Sequence, residues 1–383
     1  MNKKIVLVAV SSAFAMAAHA QSSVTLYGAL DAGITYTSNM GGHAAWQQTS
    51  GGIDQSRFGL RGTEDLGGGL KAIFTLESGF GLNTGGLANN GGLFNRQAFV
   101  GLSSNYGTVT LGRQYDAEQD YLAPLSATGS WGGTPFAHFA NFDNLNSNYG
   151  ASVNNSIKFA SANYYGLTFG GTYGFSNQAG GFANNREYSL GAAYQMQGLR
   201  IAAAYVQQNN PLNTSVGASG TSNIGTFADS IVDGLSGGVV TNVGNFRQRT
   251  YGAGVSYLFG PAQVGFVWTQ ARLDNAQIPL TVHENNYEVN AKYNLTPALG
   301  LGVAYTYTQV GESLFGATAR QHYNQVGAQA DYALSKRTDV YAQAVYQHAS
   351  GTGARSWVYD ATNGGVSSTK NQVAATIGLR HRF

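Results

Sequence analysis

Residues 24–37, Val24-Thr-Leu-Tyr-Gly-Ala-Leu-Asp-Ala-Gly-Ile-Thr-Tyr-Thr37, decide the fold class. Val24, Leu26, Leu30, Ala32, Ile34 and Tyr36 fall on one side of an extended chain. Thr25, Asp31, Gly33, Thr35 and Thr37 fall on the other, with Tyr27 and Ala29. Successive side chains of a strand point to opposite faces, so the segment reads as a strand. It is also long. Soluble strands run about 5–6 residues, whereas a tilted strand crossing a bilayer needs about 9–11.

The same alternation runs through the rest of the chain. Val264, Phe266 and Trp268 oppose Gln263, Gly265 and Thr269. Tyr287, Val289, Ala291, Tyr293 and Leu295 oppose Glu288, Asn290, Lys292 and Asn294. At the end, Val373, Ala375, Ile377 and Leu379 oppose Gly378, Arg380 and Arg382. No segment of comparable length carries a helical stripe. A soluble β-sandwich alternates too. Against it, aromatics recur near strand ends (Tyr257, Phe259, Tyr293, Tyr305, Tyr307 and Phe383), as in the interfacial girdles of membrane barrels.

Connections set the strand number. About seven tight turns carry Gly, Pro or Asn, at 66–69, 105–107, 165–166, 197–198, 260–261, 296–297 and 335–337. About eight longer polar stretches alternate with them, near 38–55, 80–93, 116–152, 176–186, 208–246, 272–285, 310–321 and 349–370. The alternation predicts a 16-stranded antiparallel transmembrane β-barrel with both termini on the short-turn side.

The first residues stand apart. Lys3 and Lys4 precede a short apolar run, and Ala18-His19-Ala20 is a small-x-small cleavage site. This is a secretory signal over residues 1–20; the run is too short for a spanning helix, which needs roughly 20 apolar residues. Residues 21–383 form one barrel domain. Charged residues are only 10% of the chain, and Gly 53, Tyr 23 and Phe 19 are high, a composition that suits many strands and tight turns. The chain has no Cys, so it is not a small disulfide scaffold. Lys+Arg total 21 against Asp+Glu 19, which argues against nucleic acid as a partner.

Six stretches, in order, resemble the trimeric general porins of the Gram-negative outer membrane, specifically the β-proteobacterial type. They are Val24-Thr-Leu-Tyr-Gly-Ala-Leu-Asp31, Ser56-Arg-Phe-Gly-Leu-Arg-Gly-Thr-Glu-Asp-Leu-Gly-Gly-Gly-Leu-Lys-Ala72, Asn95-Arg-Gln-Ala-Phe-Val-Gly-Leu102, Leu111-Gly-Arg-Gln114, Leu334-Ser-Lys-Arg-Thr-Asp-Val-Tyr341 and Gly378-Leu-Arg-His-Arg-Phe383. The resemblance implies a homotrimer joined through the first strands. It also implies a third long loop, 116–152, folded into the lumen, and Phe383 as part of the signal read by the barrel-assembly machinery. Outer-membrane lipid and lipopolysaccharide would surround the barrel. Small ions and hydrophilic solutes would diffuse through it, and no cofactor is called for.

Candidate pore residues follow from facing. Phe58 and Leu60 share one face, so Arg57, Arg61 and Lys71 take the other; Lys158 follows the same logic between Ile157 and Phe159. An arginine facing lipid at the midplane costs about 2–4 kcal/mol, so these cations belong in the lumen. In the family, the positions matching Arg57 and Arg96 belong to a cationic ladder across the constriction. Alternation with Val100 and Leu102 would put Arg96 outward, so a bulge or a subunit interface must intervene there. Ser152 stands where many relatives carry a further ladder arginine. Asp116, Glu118, Asp120 and Asp143 on the inward loop could oppose the arginines and create a transverse field. Rings of Arg or Lys favour anions, and screening over about 8 Å at physiological salt keeps the preference weak.

Other chemistries find little support. Gly234-Leu-Ser-Gly-Gly238 spells a nucleophile elbow, but no helix follows it. The seven His form no i, i+4 ligand pair, so no metal site is expected. The chain reads as a channel, not an enzyme, with a solute-selective channel and a plugged surface barrel as the alternatives to a general diffusion pore.

Overall fold

The computed structural model describes residues 23–148, 150, 152–209, 220–221, 246–275, 277–358 and 365–383. The expected signal segment and the Gly234–Gly238 motif lie outside the described residues.

Sixteen antiparallel strands close on themselves. The first, β1 (Ser23–Met40), makes a two-residue turn at Gly41-Gly42 and returns as β2. That strand runs in two pieces, His43–Ser50 and Arg57–Gly67, both paired to β1. The rest are β3 (Leu70–Gly79), β4 (Gln97–Ser104), β5 (Gly107–Gln114), β6 (Ser152–Ser161), β7 (Leu167–Gly174), β8 (Glu187–Met196) and β9 (Leu199–Asn209). They continue as β10 (Phe246–Phe259), β11 (Ala262–Asn275), β12 (Leu280–Asn294), β13 (Leu299–Leu314), β14 (Ala317–Ala333), β15 (Thr338–Gly351) and β16 (Asn371–Arg382). Each pairs with its neighbours, and β16 closes onto β1 with Ala29 opposite Arg382 and Thr37 opposite Ala374. A two-residue pairing, Gly220–Thr221, lies against the start of β6.

The fold is apolar outside and polar inside. Ile34 (60%), Leu190 (66%) and Ile377 (72%) are bare on the outer wall, while Thr269, Asn286, Asn290, Gln343 and Gln347 are buried within. Water would penalise such an outer surface and lipid would not. The faces of β1 fall as the alternation predicts, with Asp31, Thr35 and Thr37 inward.

Three expected outer loops are largely strand. The stretch 38–55 holds the end of β1 and the first piece of β2; 272–285 is strand over 272–275 and 280–285, and 310–321 narrows to the turn Phe315-Gly316. Polar residues there keep pairing above the membrane, so polarity marks the end of the lipid, not of the ladder. The break in β2 is built by Asp31. Its Oδ2 accepts from the amides of Ile53 (2.9 Å) and Asp54 (2.8 Å), and its Oδ1 from Tyr341 Oη (2.6 Å). This turns Asp54 and Gln55 toward the lumen.

Phe383 seals the seam. Its amide donates to Gly28 O and its carbonyl accepts from Gly28 N, both at 3.1 Å. Its ring fills the space a Cβ on Gly28 would need. Deleting Phe383 removes both bonds and the ring, and should cut the yield of folded, heat-modifiable barrel severalfold. Quantitative gel-shift analysis of outer-membrane fractions measures it; a wild-type yield would refute the role.

Candidate functional site

The loop, described over residues 115–148, fills much of the lumen, and the inner wall is shaped to receive it. Its Trp131 and Phe136 rings sit over Gly302 and Gly327, where any Cβ would collide with them. Tyr121, Leu122 and Leu125 press likewise on Gly191, Gly252 and Gly254. Some of the chain's many glycines therefore seat a loop rather than make turns.

Wall amides complete the docking. Asn290 Nδ2 donates to Leu125 O (2.9 Å), Gln329 Nε2 to Trp131 O (2.8 Å), Gln343 Nε2 to Gly132 O (2.5 Å), Gln325 Nε2 to Ala137 O (3.1 Å) and Gln248 Nε2 to Phe142 O (3.0 Å). These inward amides satisfy carbonyls that a buried loop would otherwise leave orphaned. Sequence reading missed them, although Gln325, Gln329, Gln343 and Gln347 recur at inward positions.

At the centre lies His138, fully buried. Its Nδ1 is 2.5 Å from Asp143 Oδ2 and its Nε2 is 3.0 Å from Glu288 Oε2 on β12. Burial alone would lower the imidazole's pKa. The charge of Asp143, with hydrogen bonds to Asp143 and Glu288, overrides it and pushes the value up to about 10. The same contact holds Asp143 below the usual carboxylate range despite burial. Thr269 Oγ1 also donates to Asp143 (2.7 Å).

The loop acids are not arrayed along the pore. Asp116, Glu118 and Asp143 are buried at 1%, 0% and 0% exposure. Burial pushes Asp116 up to about 6, and raises Glu118 well above its ordinary range with help from the charges of Asp116, Asp143 and Glu187. Asp120 alone of the four stays partly exposed, ion-paired to Lys158. Lys158 also donates to Tyr115 O (3.2 Å), pinning the start of the loop. The transverse field expected from four loop acids thus shrinks to Asp120, because the others serve the loop's own packing.

Arg96 holds the loop's return limb. It precedes the first rung of β4, Gln97 opposite Glu77, so strand alternation does not govern it. Its Nε donates to Glu77 Oε1 (2.7 Å), and its Nη1 reaches Gln55 Oε1, Ser147 O (3.1 Å) and Asn148 O (3.3 Å). Ser152 Oγ donates to Arg96 O (2.9 Å). Asn148 Nδ2 donates to Ile53 O (2.7 Å), tying the limb to the break in β2.

Beside the loop, Arg57 faces inward between Asp54 (3.5 Å) and Glu77 (3.7 Å), and Tyr27 Oη donates to Glu77 (2.9 Å). Arg61 lies over the Tyr27 ring at 5.3 Å and has no ion pair among the described residues. Lys71, opposite Asp65, sits at the turn end of β3, away from the loop. Arg200, inward with Ala202 and Ala204, escaped the sequence reading; alternation along β9 would have found it. It too has no ion pair among the described residues.

A wall seated with a loop and lined by water-facing cations is the plan of a channel. A profile of the Gram-negative porin family matches residues 6–352. The chain belongs to the Gram-negative porins. An outer membrane porin protein of Bordetella pertussis is 29% identical over the full length of both chains. Outer membrane porin protein 32 of Delftia acidovorans is 30% identical, again over all of both. Among solved structures, an anion-selective porin from Comamonas acidovorans shares the fold with a TM-score of 0.74 at 24% identity, covering 95% of this chain and 100% of that one. So does an outer membrane protein of Vibrio cholerae in trimer form, with a TM-score of 0.66 at 17% identity, over 94% and 99%. This porin spans the outer membrane and passes ions and small hydrophilic solutes by diffusion.

Proposed function

We propose a general diffusion pore of weak anion preference, working as a homotrimer without catalytic activity. The observation that carries the preference is the imbalance of unpaired lumen charge. Arg61 and Arg200 face the lumen without ion pairs among the described residues, whereas Asp116, Glu118 and Asp143 are buried in loop packing. Arg57 and Arg61 are read as wall cations of the passage. Arg96 and Lys158 position the loop, and Lys71 acts at the turn end. The anion-selective relative of the same fold supports the sign. The trimer draws support from the relative solved in trimer form, and residues 1–20 are read as a cleaved signal.

The test is the zero-current potential across a bilayer in a tenfold KCl gradient. Arg61→Ala with Arg200→Ala removes one exposed and one half-buried cation and no ion pair of the described residues, and should move the potential measurably toward cations. Arg57→Ala with Arg96→Ala should move it further, since Glu77 then loses both of its ion-pair partners. An unchanged potential in both variants would remove these residues from the ion path.

A further inference from the structure

Below the docked loop the inner wall opens into a polar recess that loop packing does not use. The loop is anchored on this side by Asn290 on β12, Gly302 on β13 and Gln329 on β14, which receive Leu125 and Trp131. One inward position further toward the short turns stand Lys292, Gly300 and Asp331. Gly300 lies opposite Asn294 on one side and Asp331 on the other. A Cβ at Gly300 would meet Lys292 Cε and Asn294 Oδ1, both at 3.3 Å. The glycine therefore keeps the floor between the lysine and the aspartate clear. The recess has a volume of about 320 Å³ and a mostly polar lining, completed by Lys336, Asp339, Arg380 and Arg382. It lies between the turns at 295–298 and 334–337, at the periplasmic end of the lumen.

Its charges divide into a paired set and an unpaired one. Arg380 is engaged by Asp54 (2.8 Å), Asp339 (3.0 Å) and Asp331 (3.3 Å), and Arg382 by Asp339 (3.0 Å). Lys292 and Lys336 have no ion pair among the described residues. Asp331 holds the longest of these contacts, through Oδ2. Its Oδ1 is covered and has no hydrogen-bond partner among the described residues, while the side chain as a whole is 20% exposed. The last side-chain bond of an aspartate turns with little preference, so either oxygen can face the recess. Two ammonium groups thus look across a glycine floor at one carboxylate oxygen, in a space at the small end of ligand sites. The complement is a small molecule with a carboxylate and an ammonium a few bonds apart. A simple anion leaves Asp331 unanswered, and a simple cation leaves the lysines so. A zwitterion answers both and carries no net charge into the recess.

We propose that this recess binds small zwitterions of the α-amino-acid type, with the carboxylate taken by Lys292 and Lys336 and the ammonium by Asp331. A solute that has passed the loop meets the site directly beneath it. The site rests on the channel reading for the route by which solute arrives. It does not rest on the anion preference, because none of its residues is among the wall cations that carry that preference.

The test titrates the full-length protein, purified in mild detergent, with glycine, acetate or glycine betaine, and reads binding by saturation-transfer NMR of the solute. The wild type should bind glycine saturably. Acetate lacks the ammonium and should bind about tenfold more weakly, the loss of one charge-assisted hydrogen bond. Glycine betaine lacks N–H donors and should also bind more weakly than glycine. Asp331→Asn should weaken glycine by about the same factor and leave acetate bound at least as tightly. Lys292→Ala with Lys336→Ala should weaken both solutes. Gly300→Val fills the recess and keeps every charge; it should abolish glycine binding, and it serves if a charge variant folds poorly. No step needs current, so a failure here leaves the channel reading standing, and a barrel that does not conduct leaves the binding result standing. Absence of saturable glycine binding, equal binding of the three solutes, or wild-type glycine affinity in the lysine or aspartate variants would each overturn the proposal.

Discussion

Arg96→Ala should widen the pore and destabilise the barrel in one step. The guanidinium is 5% exposed and joins three parts of the fold: Glu77 on β3, Gln55 at the break in β2, and the Ser147 and Asn148 carbonyls on the inward loop. Without it Glu77 keeps Tyr27 at 2.9 Å and Arg57 at 3.7 Å. That partnership is weaker and wetter than the one lost. Removing one member of a buried ion pair costs about 3–5 kcal/mol, because the remaining charge stays desolvated. Two loop carbonyls lose their donor at the same time. We expect the temperature of heat modification to fall by several degrees, and single-channel current to rise and flicker as the return limb loosens. Arg96→Lys keeps the charge without the planar fork, so it should fall between the two. If Arg96→Ala matched the wild type in both measurements, the loop would be held by its other contacts alone.

His138→Leu should release the middle of the loop. His138 stands between Asp143 on the loop and Glu288 on β12, all three buried. The substitution leaves two carboxylates facing each other without a cation, again about 3–5 kcal/mol. His138→Leu with Asp143→Asn removes one of those charges and should recover part of the loss, which a simple packing defect would not do. The node also sets a pH dependence. With a folded value of about 10, His138 contributes stability that is complete below its ordinary value near 6.5 and is lost as pH rises through about 10. Asp143, held low, contributes above the ordinary carboxylate value and fails as pH drops below it. Asp116, pushed up to about 6, adds a cost as pH rises through that value. All three signs agree that the loop is most secure in mild acid. Current noise should therefore increase steadily from about pH 6 toward pH 10, and His138→Leu should flatten the part of that rise above pH 6.5. A wild-type trace with no change in noise over this range would refute the node.

What the sequence disclosed tracks the range of the forces involved. Alternation is local, so the strands, their inward cations and the apolar outer wall could be read from residues such as Ile34, Ile377 and Arg57. Arg200 was legible by the same rule and was passed over. Three outer loops were misread because Gln47, Arg272 and Gln321 keep pairing where lipid no longer demands apolar side chains. Arg96 lies one residue before its ladder, so alternation says nothing of it. The loop's acids looked like pore charges because their burial depends on glycines and glutamines far along the chain, such as Gly302 under Trp131 and Gln329 on its carbonyl. No local pattern announces such a seat until the barrel closes and brings β12 to β15 around the loop.

The channel depends on an open aqueous passage beside a docked loop. Its most direct test is single-channel recording of the purified protein in planar bilayers over a series of KCl concentrations. An open passage gives discrete steps whose conductance rises in near proportion to salt, with a zero-current potential on the anion side. A folded, inserted barrel that gives no steps would mean that the loop closes the lumen, and would contradict it.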